Sequence, residues 1–261
     1  MTVSRFPNLK HFLLVIGAGR SGSTLIGAIL DAHPRAKIAN ETAASTIFWR
    51  DLSGEAILRE ISQNADQQRQ RGRLSEGYDY SIERLSPQAE SDVAIAGDKV
   101  WNPATLLLHG DARLLDRLES EVGVPVKIIH AIRNPFDVIA TMHARSSASL
   151  ADRARWYFMF SDAVAALHAR VDPSRIIDCR HEELLADPAK EIEQLTAFLE
   201  LDCPRSYVDA AARRMFREPK TTRTNVKWDA GLEQWIRQRM LEFPFLRRYI
   251  DTEVREHRGE R

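Results

Sequence analysis

The feature that most limits how this chain can fold is a short apolar run that ends on a glycine-rich loop. Phe12-Leu13-Leu14-Val15-Ile16 passes directly into Gly17-Ala18-Gly19-Arg20-Ser21-Gly22-Ser23-Thr24. An uninterrupted apolar run of this length predicts a strand buried on both faces, as in parallel sheets. Leu25–Leu30 follows with helical apolar spacing and closes near His33-Pro34. Strand, glycine loop and helix in this order make a cradle for an anion. The glycines let backbone N–H groups turn inward, and the helix start adds the positive end of its dipole. Ser21, Ser23 and Thr24 add hydroxyl donors, and Arg20 adds a cation. The spacing Gly17…Gly22-Ser23-Thr24 follows the nucleotide-binding loop G-x-x-x-x-G-K-[ST], with Ser23 where the lysine should be. That lysine normally reaches the outer phosphates of a nucleoside triphosphate, so its loss argues against an ordinary kinase or ATPase.

A second anion site is expected where another strand ends. Val126–Ile132 reads as a buried strand, and Arg133 leaves it as a helix begins. Asn134 suits the cap, Pro135 the first helical position, and Asp137 the positive end of the dipole. The planar fork of Arg133 can pair bidentately with a phosphate, and Thr141 offers a hydroxyl two turns further on.

The remaining pattern alternates strands and helices. Ala36–Ala39 and Arg175–Cys179 read as strands. Thr46–Ser62, Thr105–Val122, Leu150–Arg170, Pro188–Leu199, Gly231–Glu242 and Phe245–Val254 read as helices. The polar stretch around 63–90 reads as an insertion, a solvated helix with a mobile tip. Such alternation predicts an α/β fold: a three-layer parallel sheet flanked by helices. The 261 residues suffice for one core, so 1–261 is read as a single domain.

Lys+Arg and Asp+Glu both number 37, and this balance disfavours a nucleic-acid partner. No apolar run reaches the ~18 residues of a membrane span, and the opening segment lacks the form of a signal peptide. A cytoplasmic, membrane-free protein is expected. Cys179 and Cys203 show no metal-ligand or disulfide spacing and read as reduced thiols.

Gly19-Arg20-Ser21-Gly22-Ser23-Thr24-Leu25 followed by Asp31-Ala32-His33-Pro34 resembles the 5′-phosphosulfate loop of the sulfotransferase family. Arg133 with Thr141 eight residues on resembles its 3′-phosphate motif, with Thr in place of Ser. Arg180-His181-Glu182-Glu183-Leu184 resembles its Tyr-Glu-Asp-Leu segment, with His181 where a tyrosine near the adenosine is common. Thr221–Trp228 loosely resembles the basic loop that closes over the donor.

The resemblance implies a P-loop nucleotide-kinase-like fold. The implied donor is 3′-phosphoadenosine-5′-phosphosulfate (PAPS), leaving PAP as product. Arg20, Ser21, Gly22, Ser23 and Thr24 would hold the phosphosulfate. Arg133 and Thr141, with Arg223 or Lys227, would hold the 3′-phosphate. No metal is expected.

For the base, Glu41 follows the Ala36–Ala39 strand and should emerge at the sheet edge where ligands of α/β folds collect. Its position also resembles the protein-tyrosine and carbohydrate branch of the family. His130, His143 and His109 are alternatives by residue type alone. Lys99, in Gly97-Asp98-Lys99-Val100-Trp101-Asn102-Pro103, resembles the family lysine that steadies the leaving oxygen. Trp49 and Trp101 are candidates for the wall of an acceptor pocket.

The expected acceptor is a hydroxylated small metabolite or sugar, or secondly a peptide tyrosine, and a homodimer stays open. Two other readings remain: an ATP-dependent small-molecule kinase on a related fold, and a non-catalytic nucleotide-binding scaffold.

Overall fold

The computed structural model describes residues 5–41, 52–75, 77–84, 88–215 and 220–250. Five parallel strands form its sheet: β1 (His11–Ile16), β2 (Ala36–Asn40), β5 (Ile95–Lys99), β6 (Val126–Ile132) and β7 (Ile176–Arg180). Their order is β2-β5-β1-β6-β7. Leu74–Ser75 (β3) and Tyr78–Asp79 (β4) form a separate short hairpin.

The central strand shows why a continuous apolar run was needed. Phe12, Leu14 and Ile16 enter one core, and Leu13 and Val15 enter the other. Each such side chain contributes about 1.5–3 kcal/mol when fully buried. On the Leu13/Val15 face lie α1 (Ser23–Ala32), α7 (His181–Ala186), α8 (Pro188–Phe198) and α9 (Arg205–Arg213). The opposite face is covered by α2 (Gly54–Arg71), α3 (Asn102–Gly110), α4 (Arg113–Val122), α5 (Pro135–Ala144), α6 (Leu150–Arg170) and α10 (Ala230–Glu242). The expected three-layer α/β architecture is therefore the observed one. No helix among the described residues is long and apolar enough to cross a membrane.

Several elements differ from the sequence expectation. Strand β5, between β2 and β1, was not expected. Gly97 and Asp98 interrupt its apolar run, yet Asp98 is fully buried. The helix expected over Thr105–Val122 is two helices, α3 and α4. They part at Asp111, whose carboxylate accepts from the Arg113 N–H at 3.0 Å and starts a new turn.

The helix expected over Thr46–Ser62 begins only at Gly54, after a Ser53 cap, and continues to Arg71. Thr46 to Asp51, with Trp49, lie outside the described residues. The expected insertion is thus helical in its first part and packed on the sheet: Lys37 pairs with Asp66 at 2.9 Å, and Arg69 with Asp31 at 3.4 Å. After α10, Pro244–Leu246 is a 3₁₀ turn and helix resumes at Arg247. The last four residues of the helix expected over Phe245–Val254 lie outside the described residues.

The open edge of β2 is closed by side chains. Ile38 N–H donates to Asp31 Oδ1 at 2.8 Å, and Asn40 N–H donates to Asn64 Oδ1 at 2.9 Å. Arg84 donates to the Ala36 carbonyl at 2.8 Å, and Arg73 donates to the Ile38 carbonyl. An edge strand with its polar groups answered this way offers no template for a further strand.

Gly97 lies where β5 runs against β1. A Cβ there would sit 2.2 Å from the Leu13 carbonyl oxygen and 2.7 Å from Leu13 Cβ. Gly97→Ala must push two central strands apart. It should cost about 1–3 kcal/mol of stability, read as a lower midpoint in urea unfolding.

Candidate active site

The carboxyl ends of β1, β2, β5 and β6 open on one cleft of about 530 Å³. Its position follows from topology. β1 lies centrally, and the chain leaves it toward β2 on one side and later builds β6 on the other, so loops diverge above it.

The loop after β1 forms the floor. Gly17 (φ 151°) passes so close to β6 that a Cβ would meet the Ala131 carbonyl oxygen at 2.6 Å. Arg20 (φ 77°) occupies the left-handed region, which is costly for a non-glycine residue and recurs at functional sites. Gly22 (φ 96°) caps α1 without a side chain, and a Cβ there would meet His181 Nδ1 at 2.6 Å. The first turn of α1 holds no acidic residue, so its dipole is not answered internally. Arg20, Gly22, Ser23 and Thr24 all line the cleft. Ser21 does not. Its hydroxyl is buried behind the loop beside Gly17, in a small void also touched by His130, and has no hydrogen-bond partner among the described residues.

The second cationic site also reaches this cleft. Arg133 is 8% exposed and lines the cleft with Thr141. Its guanidinium donates to the carbonyls of Arg20 (3.3 Å) and Lys220, while its Nε is buried without a partner among the described residues. Thr141 Oγ1 donates to the Asp137 carbonyl at 2.7 Å and lies 2.9 Å from Thr222 Oγ1. Asn134 caps α5 as expected, accepting from Phe136 N–H at 3.0 Å.

The basic loop behaves differently from expectation. Arg223 turns to Asp137, ion-paired at 2.7 Å, and does not line the cleft. Lys227 is exposed and does not line it either. The loop reaches the cleft through Lys220 and Thr222.

Glu41 and Lys99 leave adjacent strand ends, and the register pairs Asn40 with Lys99. Lys99 donates to Glu41 Oε1, and Glu41 N–H donates to the Lys99 carbonyl at 2.8 Å. Lys99 is 7% exposed, whereas the Glu41 side chain is 43% exposed. Glu41 has φ 57°, so the chain turns sharply there as it leaves β2.

None of the three candidate histidines lines the cleft. His130 instead pairs with Asp178 at 2.9 Å, on which His168 also converges at 3.1 Å. Burial lowers the pKa of His130 against that pull. His143 Nδ1 bonds the Ala148 carbonyl oxygen at 2.8 Å.

Several cleft residues had no sequence signal. The β3–β4 hairpin supplies Tyr78 and Tyr80. Lys220 donates to the Tyr78 hydroxyl at 2.9 Å and holds its pKa below the ordinary value, whereas burial raises that of Tyr80. Trp101 is placed there as expected, and Arg145, Arg153 and Trp156 join it from the far wall. Tyr78, Tyr80, Arg145, Arg153 and Trp156 belong to no motif, and only packing brings them to the cleft.

Residues 125–205 match a sequence model of the sulfotransferase family. They span β6, Arg133 and the segment through α8. The resemblance is to the sulfotransferases. The sulfotransferase STF1 from Mycobacterium tuberculosis superposes with a TM-score of 0.52 at 11% identity, covering 88% of this chain and 76% of that one. The mouse sulfotransferase SULT7A1, complexed with PAP, gives 0.51 at 13% identity, covering 92% and 87%. At these identities the likeness is one of fold, and the fold is the sulfotransferase one. No curated protein matches the sequence.

His181 sits under Gly22 where the sulfotransferase motif commonly has tyrosine. Burial, and then the charge of Arg133, lowers its pKa from 6.5 to about 4. An NMR titration should find its ring neutral down to about pH 4. Arg133→Gln should move that midpoint upward, while burial still holds it below the ordinary value.

Proposed function

We propose that the chain is a sulfotransferase that moves the sulfuryl group of PAPS to a hydroxyl acceptor by in-line displacement. The observation that carries this reading is the convergence of three elements on one cleft: the glycine loop without its kinase lysine, Arg133 with Thr141, and the Lys99–Glu41 pair. The first two suit a nucleotide with anions on both sides of its ribose, which PAPS has and ATP lacks. The mouse neighbour complexed with PAP supports the same donor class.

The residues fit such a ligand. The uncapped start of α1, the close approach required at Gly22 and the partnerless buried Nε of Arg133 are features of a site made for anions. PAPS supplies the activated sulfuryl group. Arg20, Ser23, Thr24 and the N–H groups at the start of α1 hold the 5′ end. Arg133 and Thr141 hold the 3′-phosphate, with Lys220 beside them rather than Arg223 or Lys227. Glu41 takes the proton from the acceptor hydroxyl, and Lys99 neutralises the leaving 5′-phosphate oxygen. Their pairing parks both groups at one point until the reactants separate them. Positioning and fixed charge supply most of the acceleration, since the transferred group itself carries little charge.

A hydroxylated small molecule or sugar is the first acceptor class and a peptide tyrosine the second. The reading takes 1–261 as one catalytic domain working in the cytoplasm.

Labelled PAPS offered with alcohol, phenol, sugar and peptide panels should give incorporation into at least one class. PAP, and not ATP, should raise the melting temperature. The reverse thermal response with no incorporation would favour a kinase, and a PAP response without any transfer would favour a scaffold. Glu41→Gln should lower kcat by about 10²–10⁴-fold with donor affinity unchanged. Near-normal turnover would remove Glu41 from the base role.

A further inference from the structure

The cleft carries apolar surface and a charge to which the proposed donor site assigns no role. Trp101 is 45% exposed and Trp156 is 40% exposed, although few large apolar side chains of the described residues reach the surface so fully. Both line the cleft. Trp101 stands two residues beyond Lys99, and Trp156 projects from α6, the helix against which α3 packs. Open indole surface inside a cleft marks a place for a flat apolar body.

Arg153 lies one turn before Trp156 on α6 and lines the same cleft. It is held in place: its Nε donates to Ser146 Oγ at 3.0 Å, and Ser146 Oγ in turn donates to the Met142 carbonyl at 2.9 Å. Among the described residues no carboxylate pairs with Arg153. Fixing a guanidinium through Nε commits its orientation and leaves its terminal nitrogens for another partner. In the proposed donor site the phosphates are served by Arg20, Arg133 and Lys220, which line the same cleft. Arg153 shares the cleft with both indoles and stands one helical turn from Trp156.

We infer that the acceptor is a hydroxylated aromatic compound bearing a carboxylate, its ring against Trp101 and Trp156 and its carboxylate on Arg153. This rests on the proposed sulfuryl transfer and narrows its acceptor from hydroxyl compounds at large to aromatic acids. An uncharged phenol would lack the ion pair, and a sugar acid would lack the flat apolar face.

The test compares para-hydroxyphenylacetate, para-hydroxyphenylethanol and glucuronate on the full chain. Transfer from labelled PAPS is measured, together with quenching of tryptophan fluorescence by each compound in the presence of PAP. The aromatic acid should be preferred over the aromatic alcohol by about tenfold or more in kcat/KM, and only the aromatic compounds should quench. Arg153→Gln should erase the preference by raising the KM for the acid, with the KM for PAPS unchanged. Trp156→Ala should weaken acid and alcohol alike.

Equal use of acid and alcohol overturns the inference, as does preference for glucuronate. A raised KM for PAPS in Arg153→Gln also overturns it, because Arg153 would then serve the donor. If PAP binds but the aromatic acid neither quenches nor accepts, the acceptor inference fails while the donor site stands. If PAP itself does not bind, the sulfotransferase reading fails first.

Discussion

At Gly17 the chain leaves β1 so close to β6 that no side chain fits between it and the Ala131 carbonyl. The cleft depends on that approach. It sets the glycine loop directly over the end of β6, where Arg133 emerges, so two cationic sites far apart in sequence share one floor. The hydrogen bond from Arg133 to the Arg20 carbonyl is the direct expression of this closeness. A wider separation of β1 and β6 would leave two isolated anion sites instead of one nucleotide groove.

The charges of the cleft are arranged in a graded way. Arg133 and Lys99 are nearly buried and already engaged, one by carbonyls and one by Glu41. Groups of this kind are costly to bury without partners, so each has an interim partner of its own. The carbonyl contacts of Arg133 are weaker than a full charge would be, whereas Lys99 already faces one in Glu41. The same logic explains Arg223. Asp137, near the start of α5, competes for it and wins, leaving the loop's backbone and Lys220 at the cleft.

What the sequence disclosed follows from how local each signal was. The β1–loop–α1 unit and the Val126–Ile132 strand with Arg133 were legible because strand, cap and anion donor are contiguous. Strand β5 was hidden by Gly97 and Asp98, a glycine needed for close strand contact and a charge that only tertiary structure could bury. The split of the Thr105–Val122 helix turned on one side-chain bond at Asp111. Tyr78, Tyr80, Lys220 and Arg153 carry no motif, since their place depends on long-range packing. Ser21 is the opposite case: a residue inside a motif whose hydroxyl lies behind the loop and does not line the cleft.

The sealed edge of β2 reaches beyond edge protection. Arg73 and Arg84, which answer its carbonyls, bracket the hairpin that carries Tyr78 and Tyr80 into the cleft. The two arginines act as rivets, fastening a ligand wall to the backbone of the sheet. That wall is therefore tied to the core by side-chain bonds on either side of the hairpin. Evolution could exchange its tyrosines to suit a new ligand while leaving both rivets, and hence the wall's placement, untouched.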